Sequence, residues 1–204
     1  MEKKYKLTEE TTNMGNRTLY RIEALRDFSD VKKGDKGGFV EKEDNLSQSG
    51  DCWIYDDAMV YGKARVLDNA EILDNVVVYD SAEVYGNAKI CGDAMVYGNA
   101  EVYENAVIGG DAEVYDSAEV YGNAKICGDA MVYGNAEVYD KAIVCGDTMV
   151  YGNAEVYGSA EVFGKAKVSD NAEVFGNAEV YNDAIVCGDM VVCGDAVVCG
   201  QAKK

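Results

Sequence analysis

Ala94-Met95-Val96-Tyr97-Gly98-Asn99 is one unit of a pattern that runs from Ala58 to Ala202 in steps of six residues without insertion or deletion. The unit reads small, variable, Val or Ile, usually Tyr, usually Gly, then Asn or Asp. Ala fills 22 of the 25 small positions, the exceptions being Val76, Thr148 and Met190, and every aliphatic position from Val60 to Val198 holds Val or Ile. A period this strict is the mark of a solenoid. In extended backbone alternate side chains share a face, so Ala and the β-branched residue point inward, and the variable residue and Tyr point outward. The inside is therefore narrow. Gly, Asp or Asn after the Tyr tolerates the backbone angles of a sharp corner that β-branched residues do not.

The outward position varies with a slower period. Every third unit gives Met59, Val77, Met95, Met131, Met149 and Ile185, broken by Glu113 and Lys167. The next row is Arg65, Glu83, Glu101, Glu119, Glu137, Glu155, Glu173 and Val191, and the third is mixed, from Glu71 and Lys89 to Val197. Three chemically distinct rows predict a three-sided prism with 18 residues per coil. Stacking at about 4.8 Å per coil gives roughly nine coils and a rod on the order of 40 Å long. Val78 to Tyr103 recurs letter for letter at Val114 to Tyr139. Duplication by whole coils keeps every residue on its side, which suits a scaffold whose length varies better than an active site built from one unrepeated constellation.

On these residues the chain resembles the hexapeptide-repeat superfamily, whose aliphatic residue stands four positions before a small one, as Val60 precedes Ala64 and Val96 precedes Ala100. The Tyr after the aliphatic departs from that family's small or acidic residue. The opening block, Arg21-Ile22-Glu23-Ala24-Leu25-Arg26-Asp27 with Gly37-Gly38-Phe39-Val40 and Asn45-Leu46-Ser47, is similar to the start of uncharacterised bacterial and phage proteins of this transferase-like type. The resemblance implies an all-β, single-stranded left-handed parallel β-helix of triangular cross-section. It also implies side-by-side homo-oligomers, dimers or trimers, since many members of the superfamily are trimeric.

Residues 1–44 differ in composition and read as a cap, with residues 45–204 as the β-helix. Lys4-Tyr5-Lys6-Leu7 and Thr18-Leu19-Tyr20-Arg21-Ile22 alternate around Asn13-Met14-Gly15-Asn16, which reads as a β-hairpin closing the first coil. The sequence stops at Gln201-Ala202-Lys203-Lys204 with no comparable element, so the far rim is expected to be open or covered by something else. With 37 acidic against 19 basic residues the net charge is −18, which disfavours nucleic acid and anionic membranes as partners. No run is apolar enough for a span or a signal core, so a cytoplasmic location is expected. Cys91, Cys127, Cys145, Cys187, Cys193 and Cys199 all stand at Tyr positions and are expected to be reduced thiols. A bridge between Cys127 and Cys145, one coil apart, is conceivable, although strand spacing is wider than disulfide geometry prefers.

Three surface readings follow. Met59, Val77, Met95, Met131, Met149 and Ile185 share one side with Tyr61, Tyr79, Tyr97, Tyr133 and Tyr151, an apolar strip of the kind that marks an interface. The Glu ladder, Glu83, Glu101, Glu119, Glu137, Glu155 and Glu173, reads first as a solvated face that keeps the rod soluble. Its rival is a site for divalent cations. The Tyr ladders suffice as stacked structure, with a glycan or protein platform as the sharper alternative. No catalytic, cofactor or metal residue is assigned. The chain has no histidine, whereas the resemblance implies a His general base for acyl transfer or three His for zinc, and no inserted loop interrupts the repeat. The expected function is a non-catalytic rod that self-associates or binds a partner through its Met/Tyr side. A glycan- or cation-binding module and an acyltransferase-like enzyme are the alternatives.

Overall fold

A computed structural model describes residues 3–200, in which every regular element except a 3-10 turn at Glu43–Asn45 is a strand. From Trp53 to Cys199 each six-residue unit contributes one strand of two or three residues. Each pairs in parallel and in register with the strands one coil before and after: Met95 with Val77 and Glu113, Glu101 with Glu83 and Glu119, Lys89 with Glu71 and Val107. The constant shift of 18 residues confirms the three-sided coil. Three sheets form the sides: the Met side with eleven strands, the Glu side with eight and the mixed side with nine. The rod has about nine coils, counted along the parallel strands of the Met side. Residues 201–204, where the far rim was expected, lie outside the described residues.

The inward columns are sealed. Ala94, Val96, Ala100, Val102, Ala106 and Ile108, one full coil, are all 0% exposed. Burying each Val or Ile is worth about 1.5–3 kcal/mol, and the backbone between coils is joined at ordinary lengths, as from Tyr97 N–H to Val114 O at 3.0 Å. At the corners the residue after Tyr takes a left-handed backbone, φ 75° at Gly98 and 60° at Asp116. A Cβ on Gly98 would come within 2.8 Å of the Asp116 backbone one coil on. At every Asp corner of the repeat but Asp80 the carboxylate accepts the N–H of the corresponding residue of the next coil, as Asp74 Oδ2 does from Gly92 at 2.8 Å. Asp tolerates αL at such corners, and this bond ties each corner to the next coil.

The hairpin consists of β1 (Tyr5–Met14) and β2 (Arg17–Ala24), antiparallel, with Met14 opposite Arg17 and Gly15 at φ 60° in the turn. β2 pairs antiparallel with β3 (Lys36–Val40), and β3 pairs parallel with Met59–Val60, so the hairpin continues the Met side. Beneath it, Trp53 meets Tyr5 and Phe28 edge-on, with ring centroids 6.2 and 5.3 Å away. Lys4 is fully buried, its ammonium donating to the carbonyls of Cys52 at 2.9 Å and Gly50 at 3.3 Å. Burial holds its pKa below the usual lysine range. Residues 1–44 carry ten basic and ten acidic side chains, so the whole net charge of −18 belongs to the rod beyond them.

Candidate interaction surface

The strand register brings the Met row and the first Tyr row onto one side. Met59, Val77, Met95, Met131 and Met149 are half-buried, and Ile185 is 61% exposed. The rings of Tyr61, Tyr79, Tyr97, Tyr115, Tyr133 and Tyr151 are stacked, with centroids 4.8–5.3 Å apart. At the hairpin end Arg17 lies over the outermost ring, 5.8 Å from the Tyr61 centroid, and its guanidinium is clamped by both oxygens of Glu41 at 2.7 and 2.8 Å. Nothing in the repeat pattern pointed to Arg17, because it belongs to a segment outside the period.

The stacking turns each Tyr face toward another ring. Interplanar angles along Tyr97, Tyr115 and Tyr133 are only 2°, so ring edges and hydroxyls meet solvent while the faces are covered. A sugar that docks by stacking on an aromatic face has none free in the middle of either ladder.

The Glu ladder and the second Tyr ladder form one composite. Tyr85 donates to Glu101 at 2.8 Å, Tyr103 to Glu119 at 3.0 Å, Tyr121 to Glu137 at 2.9 Å, Tyr139 to Glu155 at 3.0 Å and Tyr157 to Glu173 at 3.0 Å. Glu83 instead pairs with Arg65 at 3.2 Å. All six carboxylates therefore have a partner within the chain. Among the described residues no three His, Cys, Asp or Glu side chains converge as a metal site would require. Desolvation first, then the bond to Glu173, pushes the Tyr157 hydroxyl up to about 12, and Tyr85, Tyr103, Tyr121 and Tyr139 rise for the same reasons. On the Met side Tyr97 alone has this bond, to Glu113 at 3.0 Å, because Met131, Met149 and Lys167 stand where the later Tyr residues would find a carboxylate.

One expectation is corrected. Cys127 and Cys145 are joined by a disulfide, not held as free thiols, across Cα atoms 4.6 Å apart. In-register parallel strands point both side chains outward from directly adjacent backbone, and that separation lies inside the range a disulfide accepts. Cys91, Cys187, Cys193 and Cys199 are free thiols, as is the buried Cys52. No helix among the described residues is long and apolar enough to cross a membrane.

A family model for the YdcK β-solenoid repeat matches residues 88–104 and 124–140. These segments are two coils apart and fall largely within the literal duplication. A protein of Escherichia coli (strain K12) named uncharacterized acetyltransferase YdcK is 40% identical over 62 residues, covering 26% of this chain. The match spans 19% of that relative's length. The likeness is one of repeat and fold.

Proposed function

We propose that this six-residue-repeat β-solenoid acts without catalysis, as a rod that self-associates through its Met/Tyr side. The observation that carries the reading is the in-register apolar column on a flat side, in a molecule whose Glu side is a file of carboxylates. A contiguous apolar strip on an otherwise highly charged surface is where a protein partner gains most from excluding water. A chain without histidine, whose exterior repeats unit after unit, supports the non-catalytic part. Sedimentation equilibrium at ~10–200 μM, concentrations suited to a small interface, tests it: a mass above one chain is expected, and a mass of one chain throughout rejects self-association.

Acetyl transfer is the second reading, favoured by the name of the E. coli relative. It would need a general base other than imidazole. Release of coenzyme A from acetyl-coenzyme A in the presence of amine or hydroxyl acceptors would decide for it.

A further inference from the structure

We infer that the Met/Tyr side receives a second copy of the same chain in antiparallel orientation, about a two-fold axis passing between the coils of Met131 and Met149. This rests on the self-association proposed above and adds the orientation and register of the partner.

The argument starts from the two charges that interrupt the apolar column. Glu113 and Lys167 occupy outward positions of the same row, in register with Met95, Met131, Met149 and Ile185. Neither has an ion pair among the described residues. Glu113 accepts the Tyr97 hydroxyl through Oε2, and Lys167 lies in a shallow depression with Met149, Ile185, Asp147, Lys165 and Asp183. An unpaired charge buried in a protein interface is costly, so any partner on this side must answer both.

Two flat sides packed face to face by a two-fold axis have two choices. With the axis along the rod the copies run parallel and every residue faces its own counterpart, Glu113 against Glu113 and Lys167 against Lys167. A parallel three-fold bundle likewise gathers like charges. With the axis across the rod, the strand direction is kept and the coil order is reversed. Counting coils along this side from Met59, Glu113 is fourth, Met131 fifth, Met149 sixth, Lys167 seventh and Ile185 eighth. An axis between the fifth and sixth coils sets Met131 against Met149 of the second copy, Glu113 against Lys167, and Met95 against Ile185. Both charges are then answered twice over, and apolar groups meet apolar groups. An axis one coil earlier sets Glu113 against Met131 and Lys167 against Val77, stranding all four charges. At the rim the chosen axis also sets Asp111 against Lys165, while Asp129 faces Asp147, whose carboxylate already lies 3.8 Å from Lys165 of its own chain.

The overlap covers six coils, about 29 Å at the strand spacing. This is a small interface, in the class of transient complexes, so the dimer is sought at high protein concentration. The hairpin and the first two coils lie beyond the described coils of the partner.

The test is sedimentation equilibrium of the full chain up to ~200 μM at ~0.15 M salt, with circular dichroism confirming that each variant is folded. Glu113→Lys and Lys167→Glu each turn two attractive pairs into two repulsive ones, and each should weaken the dimer ~10-fold or more. The double swap should restore wild-type affinity within ~3-fold. In a parallel assembly each single swap merely exchanges one like pair for another. A mass of one chain at every concentration would reject self-association altogether. Trimers, dimers indifferent to both single swaps, or a double swap no tighter than the singles would leave self-association standing and overturn the antiparallel register.

Discussion

Thr148 is the only polar residue in the small inward column, and its hydroxyl is buried without a hydrogen-bond partner among the described residues. An unmet buried hydroxyl costs about 1–3 kcal/mol. Val has nearly the same shape, and the chain already accommodates Val at the equivalent position 76, where it is fully buried. Thr148→Val is therefore expected to raise the midpoint of thermal unfolding, corresponding to about 1–2 kcal/mol. An unchanged or lowered midpoint in calorimetry would mean that the hydroxyl is satisfied by water. The inward columns were fully legible in the sequence, because a six-residue period fixes which side chains face in. The lean of Tyr85 onto Glu101 was not. The rows show which residues stack, but the tilt of a ring along the rod depends on the packing of its neighbours, and only the 16-residue interval repeated five times on the Glu side hints at it.

At the scale of a ladder, the raised Tyr hydroxyls tie the element to alkaline pH. The folded state holds these protons more tightly than the unfolded chain, whose tyrosines titrate near 10. Between that value and the higher folded values the native state binds more protons, so stability falls as pH rises. The melting temperature should change little through neutral pH and drop above about pH 10. Absorbance at the phenolate band should show most Tyr residues ionising only above that point, and a single normal titration near 10 in the folded protein would contradict the ladder. The corners were legible too, since Asp, Asn and Gly stand wherever φ is positive apart from Glu104 and Ser29. Typical strand spacing argues against a Cys127–Cys145 bridge when only the sequence is read. A Cα separation of 4.6 Å between in-register strands removes that objection. Such a bond across an 18-residue loop removes chain entropy worth about 3 kcal/mol from the unfolded state.

For the whole molecule, the shift of 18 residues at every level makes the rod modular. Removing residues 114–149 takes out two coils and joins Glu113 to Val150, the residue in the same phase as Val114, so every remaining column stays in line. The shortened chain should fold with an unchanged circular dichroism signature, and small-angle scattering should show a rod about 10 Å shorter. Removal of residues 114–119, one side only, turns everything downstream by a third of a revolution, setting Glu137 and Glu155 on the Met column and Met131 and Met149 on the mixed one; compared under reducing conditions, so that the Cys127–Cys145 bond is absent from both, it should melt lower than the longer deletion. If the two behave alike, side-specific stacking contributes little. Solenoid energetics rest on neighbour contacts of this kind. The prism was visible in three chemically distinct rows. The orientation of the cap was less so, because β1 and β2 lie outside the period and their docking is decided by Trp53, Phe28 and Lys4, none of which the repeat specifies.

The hairpin lies ahead of the coils in the chain and offers the first of them its seat through β3. Every later coil bonds to the one just before it, by partners that left the ribosome only moments earlier. A nascent chain of this design can be wound up as it is translated, each completed turn serving as the template for the next, with no exposed half of the protein waiting for a distant segment to be synthesised.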